Sequence, residues 1–459
     1  FALTAGPVTR RVGGLVDRYR RRSGRLRHRH GLLRRMQVTL LGLIAFVLAV
    51  TTGGTGLTAA AGARVWLATC PTTVRVAVLV PTGSREPARE LAQAFERDTA
   101  GDNFGCPDAR LLVYSAAAAR IRTALVNGWG AEEHVEIGPP PDVWLPDWSG
   151  ETRDARATAG RIGRTLPIRE VRTVASTPLV LAVADTATAA EDGLADSASW
   201  PQLLDTMRRR GWATVVPDPD TGVGGLARVP LYHPSAEPDV PVLSPRTVER
   251  HIERSFDRGR YPLGADVGAL LCGPDGIRDR TGYIVTEQAV ARFNHGDPVG
   301  VDCPRQDPVR LRALYARSTP RLDRDVVRFG WPSAGAERGR AAARFTAWLA
   351  GPDGAAALTA AGLRTPGGAP GAPLSAEWGV QPDLAPPPTP ASVDLVQDVH
   401  TRYARAHRAG RVLIAIDASG SMGLAAPGGS LWRVAARGAE RSIGRLGPRD
   451  ELGIWAFQG

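Results

Sequence analysis

Val74-Arg75-Val76-Ala77-Val78-Leu79-Val80 is an apolar run of strand length. It is closed by Pro81-Thr82-Gly83-Ser84 and followed by helical spacing from Glu86 through Phe95. The unit repeats at once. Leu111-Leu112-Val113-Tyr114 has strand character, Ser115 is placed to cap, and Ala116 to Val126 has helical spacing. A third apolar run, Asp142-Val143-Trp144-Leu145, ends in Pro146-Asp147-Trp148-Ser149. Strands alternating with helices predict an α/β fold with a mostly parallel sheet, whose ligands gather at the carboxyl ends of the strands.

Pro178-Leu179-Val180-Leu181-Ala182-Val183 is expected to cross out of this first lobe, after which the same grammar begins again. Trp200-Pro201-Gln202-Leu203-Leu204 opens a helix, Ala213-Thr214-Val215-Val216 a strand, and Asp218 to Gly225 a Gly-rich turn. Gly282-Tyr283-Ile284-Val285 then leads into Thr286-Glu287-Gln288 and a helix through Phe293. Helices over Ala336–Leu349 and Pro352–Ala361 close on Gly362-Leu363-Arg364-Thr365-Pro366. The expectation is a bilobed module over 70–366, followed at 367–409 by a Pro/Gly-rich linker and a helix from Val393 to His407. A new domain opens at 410–459.

The net charge of +11 is concentrated at the N-terminus, where eleven arginines precede Met36 against one acid, Asp17. No charged side chain follows until Arg64, and the stretch opens with the apolar run Val38 to Val50. This predicts an Arg-rich cytoplasmic arm at 1–36, a single transmembrane helix at 37–60 and an extracellular remainder. A cleaved signal peptide is the alternative, since Ala59-Ala60-Ala61 and Ala61-Gly62-Ala63 fit a small-x-small cleavage site. The arm lacks interleaved aromatics apart from Tyr19, so its expected partner is membrane lipid rather than nucleic acid. Cys70 lacks the context of a lipid-attachment site. The four cysteines are expected as local disulfides, Cys70 with Cys106 and Cys272 with Cys303; three pairings are open, and four free thiols are the alternative. Beginning at Phe1 and stopping just after a strand-like Leu452 to Phe457, the sequence is read as a piece of a longer chain.

Val412-Leu413-Ile414-Ala415-Ile416-Asp417-Ala418-Ser419-Gly420-Ser421-Met422 delivers one carboxylate and two hydroxyls to a single tight turn. Asp417, Ser419 and Ser421 are all-oxygen donors, a set suited to Mg²⁺, or to Mn²⁺ or Ca²⁺. The alternative is a Ser/Gly-rich turn after a core strand. The segment resembles the metal-ion-dependent adhesion site of von Willebrand factor A domains, whose D-x-S-G-S-M form it carries in full. That resemblance implies a Rossmann-like domain, of which 410–459 is the first part. It also implies further Thr and Asp ligands beyond Gly459 and a protein partner offering an acidic residue to the metal.

Residues Val74 to Pro366 resemble bacterial extracellular solute-binding proteins of the type II periplasmic-binding class. The residues carrying the likeness are Pro141-Asp142-Val143-Trp144-Leu145-Pro146-Asp147, Ser176 to Val183, Val216-Pro217-Asp218-Pro219, Val285 to Gln288, and Ala342 to Leu349 with Gly362-Leu363-Arg364. The resemblance implies a cleft between lobes that closes on a small molecule or peptide. Candidates for contact are Ser84, Ser115, Asp147, Thr221 and Thr286, at strand-end turns whose backbone N–H groups are placed to hold an anion. The alternative for Ser115 and Thr286 is that they cap helices. Ala116 to Ala119 leave the second turn poor in hydroxyls, which weighs against an oxyanion. Trp148 is expected either to stack on a ligand or to sit between lobes.

No catalytic set is found. His134, His233, His251, His295 and His400 lack metal-ligand spacing, and Ser419 is not in a G-x-S-x-G elbow. The expectation is therefore a membrane-anchored, extracellular, non-enzymatic binding protein with a solute cleft and a metal-dependent adhesion domain. Its alternative is the solute receptor of a transport system, with the A domain as a structural appendage.

Overall fold

The computed structural model describes residues 74–102, 106–196, 198–233, 243–254, 266–272, 276–300, 309–317, 319–384, 389–408, 410–444, 446 and 450–458. The expected arm at 1–36, the anchor at 37–60, Cys70 and Cys303 lie outside them. Among the described residues no helix is long and apolar enough to cross a membrane.

The first lobe runs β1 (Arg75–Pro81), α1 (Arg85–Asp102), β2 (Arg110–Ala116), α2 (Ala118–Asn127), β3 (Val143–Trp144) and α3 (Ser149–Arg161). As the alternation requires, β1 pairs in parallel with both β2 and β3. Period-2 alternation sorts the side chains of β1. Val76, Val78 and Val80 enter one core with Phe95 and Phe345, whereas Leu79 faces Ile121, Trp144 and Val327.

The chain leaves through β4 (Ile168–Ala184), which is longer than the expected crossing strand and belongs to both lobes. Ile168 to Pro178 pair antiparallel with a later strand of the first lobe, and Leu179 to Ala184 serve the second. Leu179, Leu181 and Val183 pack with Trp200, Leu203 and Met207, while Val180, Ala182 and Ala184 pack with Tyr283 and Val285. Covered on both faces, this half of the strand reads as a continuous apolar run.

The second lobe contains α4 (Trp200–Arg209), β5 (Ala213–Val215), α5 (Gly224–Tyr232), α6 (Pro245–Arg254), β6 (Thr281–Thr286), α7 (Glu287–His295) and β7 (Leu311–Leu314). The start of α4 is set by a reciprocal cap. Ser199 Oγ accepts from Gln202 N at 3.3 Å, and Gln202 Oε1 accepts from Ser199 N at 3.0 Å.

The return crossing is β8 (Pro320–Phe329), which runs antiparallel beside β4 and then beside β3, completing the order β2-β1-β3-β8-β4-β6-β5. Helices α8 (Ala336–Leu349) and α9 (Pro352–Ala360) complete the first lobe. The backbones of Ser176 and Arg364 then pair at 2.9 and 2.8 Å. The Arg364 guanidinium meets Glu287 at two points, both 2.7 Å, with both residues buried.

The stretch expected as a linker is packed on the second lobe, where Leu374 and Val380 are buried. The following helix α10 (Val393–Ala406) buries Val396 and Val399 in that lobe's other core. Apolar anchors in a Pro/Gly-rich segment give it a packed path in which the short 3-10 turn Ala376–Trp378 is formed.

At the C-terminal end, strand Arg411–Asp417 pairs in parallel with Glu451–Phe457, with helix Leu431–Ile443 between them in sequence. Leu413, Ile454, Trp455 and Phe457 are exposed. A strand–helix–strand unit of this size is shared by many α/β folds, so it does not by itself assign a domain family.

Candidate solute-binding cleft

A cavity of about 100 Å³ lies between the lobes. Its first-lobe wall includes Thr82, Gly83, Ser84 and Asp147, its second-lobe wall Thr221, Gly222, Asp266, Thr286, Gln288 and Arg292, and Arg324 of β8 also lines it. Four of the five expected contact residues are thus brought together. Ser115 is not among the lining residues: it pairs with Val80 inside the sheet, and the lining at that strand end is Ala117 and Ala118.

Ser84 ends the turn after β1 and Asp147 follows β3, so both stand at carboxyl ends of parallel strands. Ser84 Oγ donates to Asp147 Oδ1 at 2.5 Å. Arg324 Nη1 donates to the same oxygen at 2.8 Å and to Ser84 Oγ at 3.3 Å, and its Nη2 donates to Gln288 Oε1 at 3.2 Å. Arg324 Nε is buried without a partner.

Arg324 escaped the sequence reading because Arg321-Leu322-Asp323-Arg324-Asp325 looks like a solvated charged segment. The signal was present in the apolar residues between the charges, since Leu322, Val326, Val327 and Phe329 of β8 are all buried. Asp266 was missed too. It caps a five-residue helix through Oδ1, which accepts from Ala269 N at 2.9 Å, and no apolar period led to it.

The hydroxyls of Thr221 and Thr286 are engaged within their own lobe. Thr221 Oγ1 donates to Asp218 O at 2.6 Å, and Thr286 Oγ1 accepts from Ala289 N at 3.3 Å. Gln288 N is also taken, by Thr177 Oγ1 at 3.3 Å. The expected anion cradle at the start of α7 is therefore occupied by the protein's own caps.

The lobes touch around the cavity. Ala119 N donates to Asp220 O at 3.2 Å, and the Arg292 guanidinium meets the Glu90 carboxylate at 2.8 and 2.7 Å. Gln397 of α10 donates to Asp154 of α3 at 2.8 Å. A Cβ at Gly222 would overlap the Asp147 carboxylate, so glycine is what allows that approach. Trp148, expected either on a ligand or between lobes, is buried with the core residues of the second lobe.

Burial, and next the Asp147 carboxylate, push the Glu151 carboxyl well above the ordinary range. Burial also raises Asp266; the N–H of Ala269 opposes this and Asp147 adds to it. Acidic groups therefore crowd this end of the cleft.

Outside the cleft, Asp417, Ser419 and Ser421 share one turn. Ser419 N donates to Asp417 Oδ1 at 2.8 Å, and the two seryl Oγ atoms lie 2.9 Å apart. Hydrogen bonds from the backbone N–H and then the hydroxyl of Ser419 hold the Asp417 carboxyl below its ordinary range. Three oxygens on an exposed turn fit a hard divalent ion chemically. Among the described residues no group of three or more His, Cys, Asp or Glu is placed to hold a metal. Cys106 and Cys272 are both disulfide-bonded.

No curated protein matches the chain by sequence. Solved structures similar to it include the ferric binding protein from Campylobacter jejuni, with 9% identity, TM-score 0.47, and coverage of 72% of this chain and 99% of that one. The sulfate-binding protein SubI from Mycobacterium tuberculosis has 13% identity and TM-score 0.36, covering 64% of this chain and 87% of its own. Maltose-bound MalE3 from T. maritima has 11% identity and TM-score 0.42, covering 73% and 95%. The topology is an α/β, bilobed, periplasmic-binding-like fold, and residues 76–232 match the family model described as bacterial extracellular solute-binding protein.

Proposed function

We propose that this chain is an exported solute-binding protein that captures a small molecule between its two lobes and presents it to a transport system. The observation that carries this reading is the cavity lined from both lobes by strand-end residues and bordered by interlobe bonds. The family match over 76–232 supports the same reading and an extracellular or periplasmic location. Two strands, β4 and β8, join the lobes, an arrangement suited to hinge closure over a ligand. The role proposed is binding, which the family match over 76–232 supports. Small-angle scattering of the full chain with and without saturating solute tests the reading. A smaller radius of gyration on binding supports it, and binding without any change of shape counts against it.

A second reading concerns 410–459. The convergence of Asp417, Ser419 and Ser421 supports a divalent-cation site of the adhesion type, with Mg²⁺ as cofactor and an acidic residue of a protein partner as its remaining ligand. Magnesium titration by calorimetry, beside Asp417→Ala, tests it; equal heats from both proteins would rule the site out. The membrane anchor at 37–60 and the pairings Cys70–Cys106 and Cys272–Cys303 belong to the same proposal.

A further inference from the structure

The charge balance of the cleft goes further than the general reading. Among the described residues two guanidinium groups line the cavity, and the Nη atoms of both are committed. Arg324 is spent on Asp147, Ser84 and Gln288, and Arg292 on Glu90 and the carbonyl of Pro298. The N–H groups opening α7 are capped by Thr177 and Thr286, and Ala119 N is used across the lobes. An incoming anion therefore finds the Nη donors of both arginines and the N–H groups of Gln288 and Ala289 already used, with Arg324 Nε and the Thr286 O–H left over.

The acceptors are not spent in the same way. Asp147 is 5% exposed and lines the cavity, and every hydrogen bond its carboxylate accepts goes to Oδ1, leaving Oδ2 without a donor. Asp266 lines the cavity from the other lobe, and the bonds its carboxylate accepts come from backbone N–H groups of its own short helix, Ala269 N at Oδ1 and Gly268. Among the described residues Arg324 balances Asp147 and Arg292 balances Glu90, which leaves Asp266 without a paired cation. A buried carboxylate with a free oxygen is costly unless a donor, best a charged one, is supplied.

Taking the interlobe cavity as the solute site, we propose that its solute carries an ammonium group, which donates to Asp147 Oδ2 from one side and to Asp266 from the other. Ligand binding and closure are then one event, because the ammonium is gripped by both lobes. The raised carboxyl of Asp266 agrees with a site that lacks its cation. Two carboxylates, one already holding an arginine, favour an organic ammonium over a bare metal ion, which needs more oxygen ligands.

The test is calorimetry on the full chain with n-butylammonium, 1,4-diaminobutane, glycine, sulfate and maltose, each to 10 mM, on wild type, Asp266→Asn and Gly222→Phe. Asparagine keeps the cap on Ala269 and removes only the charge, and thermal unfolding of each free variant checks its fold. The expected result is saturable binding of at least one amine, weakened tenfold or more by Asp266→Asn and abolished by Gly222→Phe, with no sulfate binding. Sulfate or maltose binding that Gly222→Phe abolishes would overturn the ammonium proposal and leave the cleft reading intact. Binding indifferent to Gly222→Phe would overturn both. No amine binding at 10 mM would overturn the ammonium proposal.

Discussion

Glu90 of α1 and Arg292 of α7 form a two-point ion pair across the lobes, at 2.7 and 2.8 Å. Arg292 is buried and Glu90 is 44% exposed on its side chain, so the pair is only partly desolvated. A pair of that kind contributes about 0.5–1 kcal/mol. Glu90→Gln is expected to weaken solute binding a few-fold, mainly by faster dissociation. Stopped-flow release from wild type and variant checks this.

Gly222 of the second lobe lies close against Asp147 of the first. Its missing side chain leaves room for the Asp147 carboxylate, and Gly222→Ala is expected to hold the cleft partly open. Affinity should fall by tenfold or more, about 1.4 kcal/mol, while the Tm of the free protein stays within a few degrees. Calorimetry paired with thermal unfolding separates the two effects.

Stability depends on a different ion pair. Arg364 joins Glu287 at two points of 2.7 Å and donates to the carbonyls of Gly368 and Pro382, with Tyr315 donating to the same carboxylate. Arg364→Ala leaves Glu287 buried without its cation, which costs about 3–5 kcal/mol. Urea unfolding should show the midpoint falling with little change in slope.

Burial raises the Glu151 carboxyl above the ordinary glutamate range, with Asp147 adding to the shift. The folded state therefore binds a proton that the unfolded chain has released. Its contribution favours folding at low pH and fades as pH rises from the ordinary glutamate range through the folded value. Glu151→Gln keeps the neutral shape without the titration. Its Tm should vary less with pH across that window and exceed wild type by a few degrees at the alkaline end, measured by scanning calorimetry.

Much of the scaffold was legible because apolar periodicity reports burial. Leu179 to Val183, Gly282 to Val285 and the helices at 336–349 and 393–406 all carry strong patterns, and the structure has elements there. The return strand β8 was not read, because Arg321, Asp323, Arg324 and Asp325 break up its apolar residues. Those charges are paired inside the fold, as Arg324 with Asp147 and Asp325 with Thr173 at 2.9 Å, and pairing leaves no trace in a hydropathy pattern.

The cleft was legible only where strands end. Ser84, Asp147, Thr221 and Thr286 follow apolar runs, and their positions come from topology alone. Whether a hydroxyl faces a ligand or caps its own helix is decided by side-chain geometry, and for Thr286 the cap to Ala289 takes it. Asp266 is brought to the cavity by tertiary packing, to which local sequence carries no signal. At Ser115 the strand end is right and the lining falls two residues later, at Ala117.

The central claim, that a solute is held between the lobes, is tested most directly by hydrogen–deuterium exchange of the full chain with and without a saturating amine. A solute held there slows exchange in segments 81–90, 117–122, 147–151, 221–225, 266–272 and 286–292 together and leaves 431–443 unchanged. Protection confined to one lobe, or located away from these segments, would contradict it.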